Sequence, residues 1–341
     1  MLEYTQIPGT NLVSSRIALG TWAIGGWMWG ATDENESIRT IHAAVDQGIN
    51  LIDTAPIYGF GRSEEIVGEA LRQGGRRERV ILATKVGLDW THGKIERNST
   101  RQRILREFED SLRRLRTDYI DIYQVHWPDP LASIEETAAT LRELYEQGKI
   151  RAIGVSNYSP EEMARFESVA LLHTIQPPYN LFEREVERDV LPYALGRGIT
   201  MLTYGALCRG LLSGAMNADR QFTSGDMRKT TDPKFQQPHF GEYLNAASKL
   251  DAFARENYGK RLIHLAVRWL LDQPGVGVAL WGARRPEQLA PIREVIGWSL
   301  GKSDFAAIDA ILRESIRNPV GPEFMAPPAR ETSEPVTVSA A

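Results

Sequence analysis

An eight-stranded parallel barrel, a (β/α)8 or TIM barrel with a β-hairpin ahead of it and a long loop after strand seven, is the architecture this sequence predicts. Three observations carry the prediction. Short apolar runs alternate with amphipathic segments, and eight such runs can be picked out. Most of them are continuously apolar rather than alternating, as parallel strands covered on both faces are. The first run is followed by TWAIGGWMWG (21–30), which lacks the G-x-G-x-x-G turn that an open, doubly wound sheet usually carries there.

The elements follow in order. EYTQIPGTNLVSSRI (3–17) reads as a hairpin with Pro8-Gly9 as its turn, placed to cap the barrel bottom. The strands are RIALG (16–20), NLID (50–53), VILATK (80–85), DIYQVH (121–126), IRAIGVS (150–156), TIQP (174–177), ITMLTY (199–204) and VGVALWG (276–282). Helical spacing fills the gaps. SIRTIHAAVDQG (37–48) ends in Gly48, a C-cap residue. GRSEEIVGEALRQG (61–74) offers Ser63 as N-cap. QRILREFEDSLRRLR (102–116) puts Ile104, Phe108, Leu112 and Leu115 on one stripe. SIEETAATLRELYEQGK (133–149) carries Ser133 and Glu136 at capping-box spacing, and SPEEMARF (159–166) opens with Ser then Pro. Strand then helix, eight times over, closes a barrel. The polar stretch 213–240 reads as a structureless loop of the kind that is functional or mobile.

Length and composition set bounds. The 341 residues are 42% hydrophobic and 25% charged, with a net charge of −4. We expect one domain over 1–328 and a disordered tail over 329–341. No basic block indicates a nucleic-acid surface, and no apolar run approaches the ~20 residues of a membrane helix. The first residues lack the charged and apolar regions of a signal peptide. A single cysteine, Cys208, excludes an internal disulfide. A cytoplasmic protein with a small-molecule partner and no evident obligate protein partner is the expectation.

Active sites of such barrels lie at the C-terminal strand ends. Asp53, Lys85 and His126 end strands two, three and four, and Tyr58 follows in the loop after strand two. Near an ammonium a tyrosine is expected to become a readier proton donor. Asp53 would pair with Lys85, and His126 would orient a carbonyl. Such a group moves a proton but no electrons, so a hydride carrier is required. Trp22, Trp27, Trp29 and Trp127 stand in the strand-end loops and would wall the pocket. Phe324 and Met325 are placed to close over it.

The segments NLIDTAPIYGFGRSEEIVGEAL, ILATKVG, YQVHWPD, IRAIGVSNYS and TIQPPYN resemble those of the aldo-keto reductase superfamily, in family order from about residue 5 to about residue 328. GTWAIGGWMWG, YGALCRGLLSG and LWGARRPEQ resemble bacterial members acting on glycerol, glyceraldehyde and similar small polyols and aldehydes. The resemblance implies a barrel using NADP(H) or NAD(H). It makes Tyr58 the general acid/base, Lys85 and Asp53 its tuning pair and His126 the carbonyl-orienting group. It implies that Gly20, Thr21 and Trp22 border the cofactor. Ser156, Asn157 and Gln176 would hold the carboxamide and Tyr204 would stack on the nicotinamide. Gly205, Leu207, Arg209, Gly210 and Leu212 would run along the pyrophosphate. Gly282, Arg284 and Gln288 would take the adenosine end, Arg284 favouring NADP(H) through a 2′-phosphate. Trp22, Trp29, Tyr58, His126 and Trp127 would contact substrate. Two departures stand out: Gly205-Ala206 replaces a usual Ser-Pro, and Pro291-Ile292 a usual Glu-Asn at the adenine. A small hydroxyaldehyde is the expected substrate. The alternatives are a bulkier keto compound or a cofactor-sensing role like that of potassium-channel β-subunits.

Overall fold

The computed structural model describes residues 2–90 and 93–330. An antiparallel pair, β1 (Tyr4–Gln6) and β2 (Val13–Ser15), precedes the barrel. The barrel strands are β3 (Ile17–Gly20), β4 (Leu51–Asp53) and β5 (Ile81–Val86), then β8 (Ile120–Val125), β9 (Ile150–Ser156), β10 (Thr174–Gln176), β11 (Thr200–Thr203) and β12 (Val276–Gly282). They form one closed ring, each parallel to its neighbours. A second small hairpin, β6 (Leu88–Asp89) with β7 (Glu96–Arg97), rises from the loop after β5.

The helices α1 (Glu34–Asp46), α2 (Arg62–Arg72), α3 (Arg101–Leu115), α4 (Ile134–Glu146), α5 (Pro160–Glu167) and α6 (Val190–Arg197) surround the barrel. They are joined by α7 (Met227–Thr230), α8 (His239–Tyr258), α9 (Leu262–Leu271) and α10 (Lys302–Ser315). No helix of the described residues is long and apolar enough to cross a membrane.

Along the inward face of three strands an apolar residue is followed two positions later by a polar one. Leu51, Ala83 and Ile122 belong to an apolar inner cluster, and Asp53, Lys85 and Gln124 stand above them. Side chains two apart share a face of a strand, so this switch marks where the core ends and the site begins. Ile7 and Leu12 of the N-terminal hairpin join the apolar cluster from below and close the barrel bottom.

Several expectations change. Ser63 is not the N-cap of α2. Gly61, at φ 99°, holds that position. The Ser63 hydroxyl instead donates to Thr21 and accepts from Thr54, tying α2 to the tops of β3 and β4. Ser133 caps α4 through the Glu136 amide, but the two-way box forms at α5, between Ser159 and Glu162. The plain strand–helix alternation breaks after β11, where both α8 and α9 precede β12.

The 213–240 stretch is not structureless either. It contains α7, a 3-10 turn at Pro233–Phe235 and the start of α8, and Asp226 and Asp232 cap its two short turns. One-turn helices have no periodicity to read, so composition alone hid them. Of the expected tail, Ala329 pairs with Arg97 and Arg330 with Asp129. The rest, 331–341, lies outside the described residues.

Candidate active site

Three strand ends and one loop bring Asp53, Lys85, Tyr58 and His126 together. Lys85 Nζ donates to Asp53 Oδ2 at 2.7 Å, to the Thr54 carbonyl at 3.1 Å and to Tyr58 Oη at 3.2 Å. An ammonium has three N–H donors, so every one is used. Asp53 Oδ1 accepts from Gln176 Nε2 at 2.8 Å and Gln124 Nε2 at 3.3 Å. The ion pair is therefore fully buried and fully bonded, the condition under which a buried charge pair is tolerated. Because Tyr58 Oη accepts from Lys85, its own proton has to point elsewhere, and the open side is the cavity. The His126 ring meets the Tyr58 ring edge-on at 5.9 Å.

Burial dominates the electrostatics of the site. Burial, then the Asp53 charge, pushes the Tyr58 phenol well above its ordinary value of 10.0. The Lys85 ammonium favours the phenolate but does not outweigh burial and Asp53, and burial lowers its own pKa. Burial and the Lys85 charge also push His126 well below 6.5, so its ring is neutral. Tyr58 therefore keeps its proton across the physiological range.

Tyr58 is held by a close crossing of two loops. A Cβ on Gly25 would lie 2.5 Å from the Tyr58 carbonyl, and one on Gly59 would lie 2.2 Å from the Gly25 oxygen. Only glycine fits either position. Sequence reasoning missed this pair, as it missed Gln124.

A cavity of about 230 Å3 opens above the four residues. Its floor holds Tyr58, His126, Ser156, Asn157, Gln176 and Tyr204. Tyr204 Oη donates to Asn157 Oδ1, Asn157 Nδ2 to Ser156 Oγ, and Ser156 Oγ to the Gln176 carbonyl. These groups form one connected polar rim. Trp22 stacks on Tyr58 at 6.1 Å, and Trp27 and Trp127 complete the wall as expected. Trp29 does not reach the cavity. It stands behind Trp22, edge to face at 5.3 Å, with the Arg228 guanidinium over its ring.

Phe324, Met325, Pro327 and Pro328 form the roof. The strap that carries them is pinned at both ends. At one end Lys234 Nζ donates to the Gly321 carbonyl. At the other, Arg97 donates through Nε to the Pro327 carbonyl and through its amide to Pro328. Arg330 in turn bonds the Arg97 carbonyl and Asp129. The Arg97 guanidinium also lies 5.4 Å from the Trp127 ring centre.

The expected cofactor residues are placed unevenly. Gly20 and Gly282 adjoin each other at the top of the barrel, with Asp53 on the other side of Gly20. The Thr21 hydroxyl donates to the Asp53 carbonyl and is fully buried, so it braces the site from behind. Arg209 has partners that the sequence reading did not foresee. Its guanidinium is buried against Glu183 and Asp232, and Lys234 joins Glu183 at 2.8 Å. Burial works against the Glu183 carboxylate, yet Arg209 and Lys234 hold it down to about 2. Four of its five N–H groups are engaged, Nε by Asp232, Nη1 by Glu183 and Nη2 by Glu183 and Cys208, so a pyrophosphate would have to compete with two carboxylates for it. The amides of Gly210 and Leu212 both donate to the Leu207 carbonyl, within the same turn. Gln288 Oε1 accepts from the amides of Arg284 and Arg285, at the helix start where an anion would bind.

Arg284 bonds the Trp29 carbonyl, and burial and the Arg228 charge lower its pKa. Arg228, paired with Asp226, thus adds a second cation near Arg284 that the sequence did not single out.

A closed (β/α)8 barrel with Asp, Tyr, Lys and His meeting at its strand ends defines a class, the barrel oxidoreductases of the aldo-keto reductase type. The chain belongs to the aldo/keto reductase family, whose sequence profile matches residues 16–313. It is similar to the aldo-keto reductase YhdN of Bacillus subtilis (strain 168), with 62% identity over 330 residues, covering 97% of this chain and 99% of the relative. An NADH-specific methylglyoxal reductase of Escherichia coli (strain K12) is 36% identical over 310 residues, covering 86% and 94%. Among solved structures, the glycerol dehydrogenase AKR11B4 of Gluconobacter oxydans superposes with a TM-score of 0.85 at 53% identity, covering 95% of this chain and 99% of that one.

Proposed function

We propose that this protein reduces aldehydes and ketones to alcohols, or runs the reverse oxidation, with NADP(H) as hydride carrier and Tyr58 as proton donor. The observation that carries the reading is the saturation of Lys85: its three donors are engaged, Tyr58 accepts one of them, and the Tyr58 proton is left facing the cavity. A neutral His126 supplies a second hydrogen bond to a carbonyl oxygen held there. For a carbonyl reduced there, Tyr58 would give its proton to the oxygen, and Lys85 would stabilise the phenolate that remains. In oxidation the same groups act in reverse.

The residues present fit a nicotinamide cofactor, which supplies the hydride when bound. Ser156, Asn157 and Gln176 offer the donors and acceptors that a carboxamide needs, beside the Tyr204 ring. Arg284 favours a 2′-phosphate and hence NADP(H), with NAD(H) as the lesser partner. The E. coli relative named for NADH makes the preference worth measuring. Cofactor titration by fluorescence is the test. Arg284→Ala should weaken NADPH binding about tenfold more than NADH binding; equal losses would remove the 2′-phosphate role. The glycerol dehydrogenase relative supports a small polyol or hydroxyaldehyde; the lining of the cavity supports a larger, apolar carbonyl compound.

A further inference from the structure

Phe60 is hard to explain as a packing residue. It sits at φ 57° between Gly59 at φ 68° and Gly61 at φ 99°, in a region of backbone space that bulky side chains resist. Its ring is nevertheless 48% exposed. Strain of this kind persists where a site needs it. What the ring touches gives the need: Trp27 at 5.5 Å and Trp90 at 6.1 Å. Trp27 is itself a wall of the cavity above Tyr58. Trp27 thus belongs both to the cavity that holds the reacting tyrosine and to an aromatic shelf at the rim.

The rest of the wall points the same way. Among the described residues, the cavity above the floor is bounded mostly by apolar side chains, Ile57, Leu88, Ile95, Met227 and the strap residues, with Thr231 as a polar exception. The hydroxyls of a triose carried into this space would lose water and find few replacements, which disfavours them. An alkyl or aryl tail would lose nothing.

We propose that Trp27, Phe60 and Trp90 form an outer subsite, and that the substrate is an aldehyde or ketone with an extended alkyl or aryl tail lying along it. The proposal rests on the carbonyl-reductase reading for its chemistry but not for its binding surface, and two measurements separate them. The first is kcat/KM with NADPH for propanal, hexanal, nonanal, 3-phenylpropanal and glyceraldehyde. Each methylene that reaches the apolar wall should raise kcat/KM about fourfold, with glyceraldehyde below hexanal. The nonanal-to-propanal ratio should fall about tenfold in Phe60→Gly. Glycine suits φ 57°, so this variant relieves the backbone, and an undiminished melting temperature would confirm its fold. The second is binding of 1-nonanol, 1-propanol and glycerol to the protein, read by tryptophan fluorescence, which needs no turnover.

A flat aldehyde series, a preference for glyceraldehyde, or a Phe60→Gly ratio equal to that of the wild type would overturn the subsite. Absence of turnover with nonanol bound in a Phe60-dependent way would keep the subsite and remove the reaction. Light scattering that finds a dimer dissolved by Phe60→Gly would give the shelf to a second copy of the chain and overturn the proposal.

Discussion

Tyr58 and Phe324 lie on opposite sides of one cavity and are held in different ways. The floor is built from strand ends. Its position is set by barrel register, and its polar groups are bonded to one another with little slack, Lys85 through three donors and Asp53 through three acceptor contacts. The roof is built from a strap that meets a strand only at the Ala329 bridge to Arg97 of β7. It keeps its place through Lys234 at one end and Arg97, Asp129 and Arg330 at the other. A rigid floor suits chemistry, where small misplacements are costly. A strap held at two points can change its side chains without disturbing that geometry. If this division is right, damage to the floor should appear in kcat, and damage to the roof in KM and in substrate preference.

The largest expected effect is at the floor. Tyr58→Phe should lower kcat for carbonyl reduction about 10³-fold, within the usual range for a lost general acid, with cofactor binding retained in a fluorescence titration. A variant with near-normal kcat would end the proton-donor role.

Next comes the anchor beneath the roof. Lys234→Met leaves Glu183 buried with one cation fewer, and breaking such a network costs about 3 kcal/mol. Thermal or urea unfolding should show that loss. A fall in kcat for small aldehydes larger than the fall in stability would mean that the two regions are not separable.

Lys85→Met should lower kcat about 10²-fold and also move a pH profile. Oxidation needs Tyr58 deprotonated, and its pKa is already raised by burial and Asp53. Oxidation should therefore rise with pH on the alkaline side, while reduction stays flat through neutrality. Without the Lys85 ammonium the phenolate loses a neighbouring positive charge, so the rise should move to still higher pH. An unchanged profile would show that Lys85 only fills space.

The smallest effect tests the roof. Arg97→Ala removes the side-chain bond to Pro327, loosening that end of the strap while its backbone bonds remain, and uncovers one face of Trp127. KM for bulky carbonyl compounds should rise about tenfold, with kcat changing much less; equal changes in both would place Arg97 in the chemistry of the floor.

Most of the barrel was legible in the chain, and for a physical reason. A buried parallel strand must be apolar throughout, so a polar residue at its end is a conspicuous exception. Asp53, Lys85 and His126 were visible on that ground alone, each within a residue of a strand end. Residues whose role depends on a distant partner were not. Nothing local to Arg209 tells that Glu183 and Asp232 engage it, so it read as an anion ligand. Trp29 looked like Trp22 and Trp27, and only the fold turns it away from the cavity. Ser63 had the right neighbours for a cap, but the left-handed Gly61 starts the helix two residues earlier. The roof was the least legible part, because its position is recorded in single bonds between residues more than 200 positions apart.

The run Gly59-Phe60-Gly61 has a consequence for how this enzyme can change. A side chain at Gly59 would strike the Gly25 carbonyl, and one at Gly61 would press on Arg114. Phe60, between them, is the sole position of the three whose side chain reaches open solvent. Variation in this loop is therefore channelled to one site. A change at Phe60 would alter the rim, while the close contacts of its two neighbours hold the Tyr58 backbone where it is. For an engineer, saturation at that single codon is the least disruptive search for new substrates; for a lineage, it is a route by which specificity diverges while the reaction stays the same.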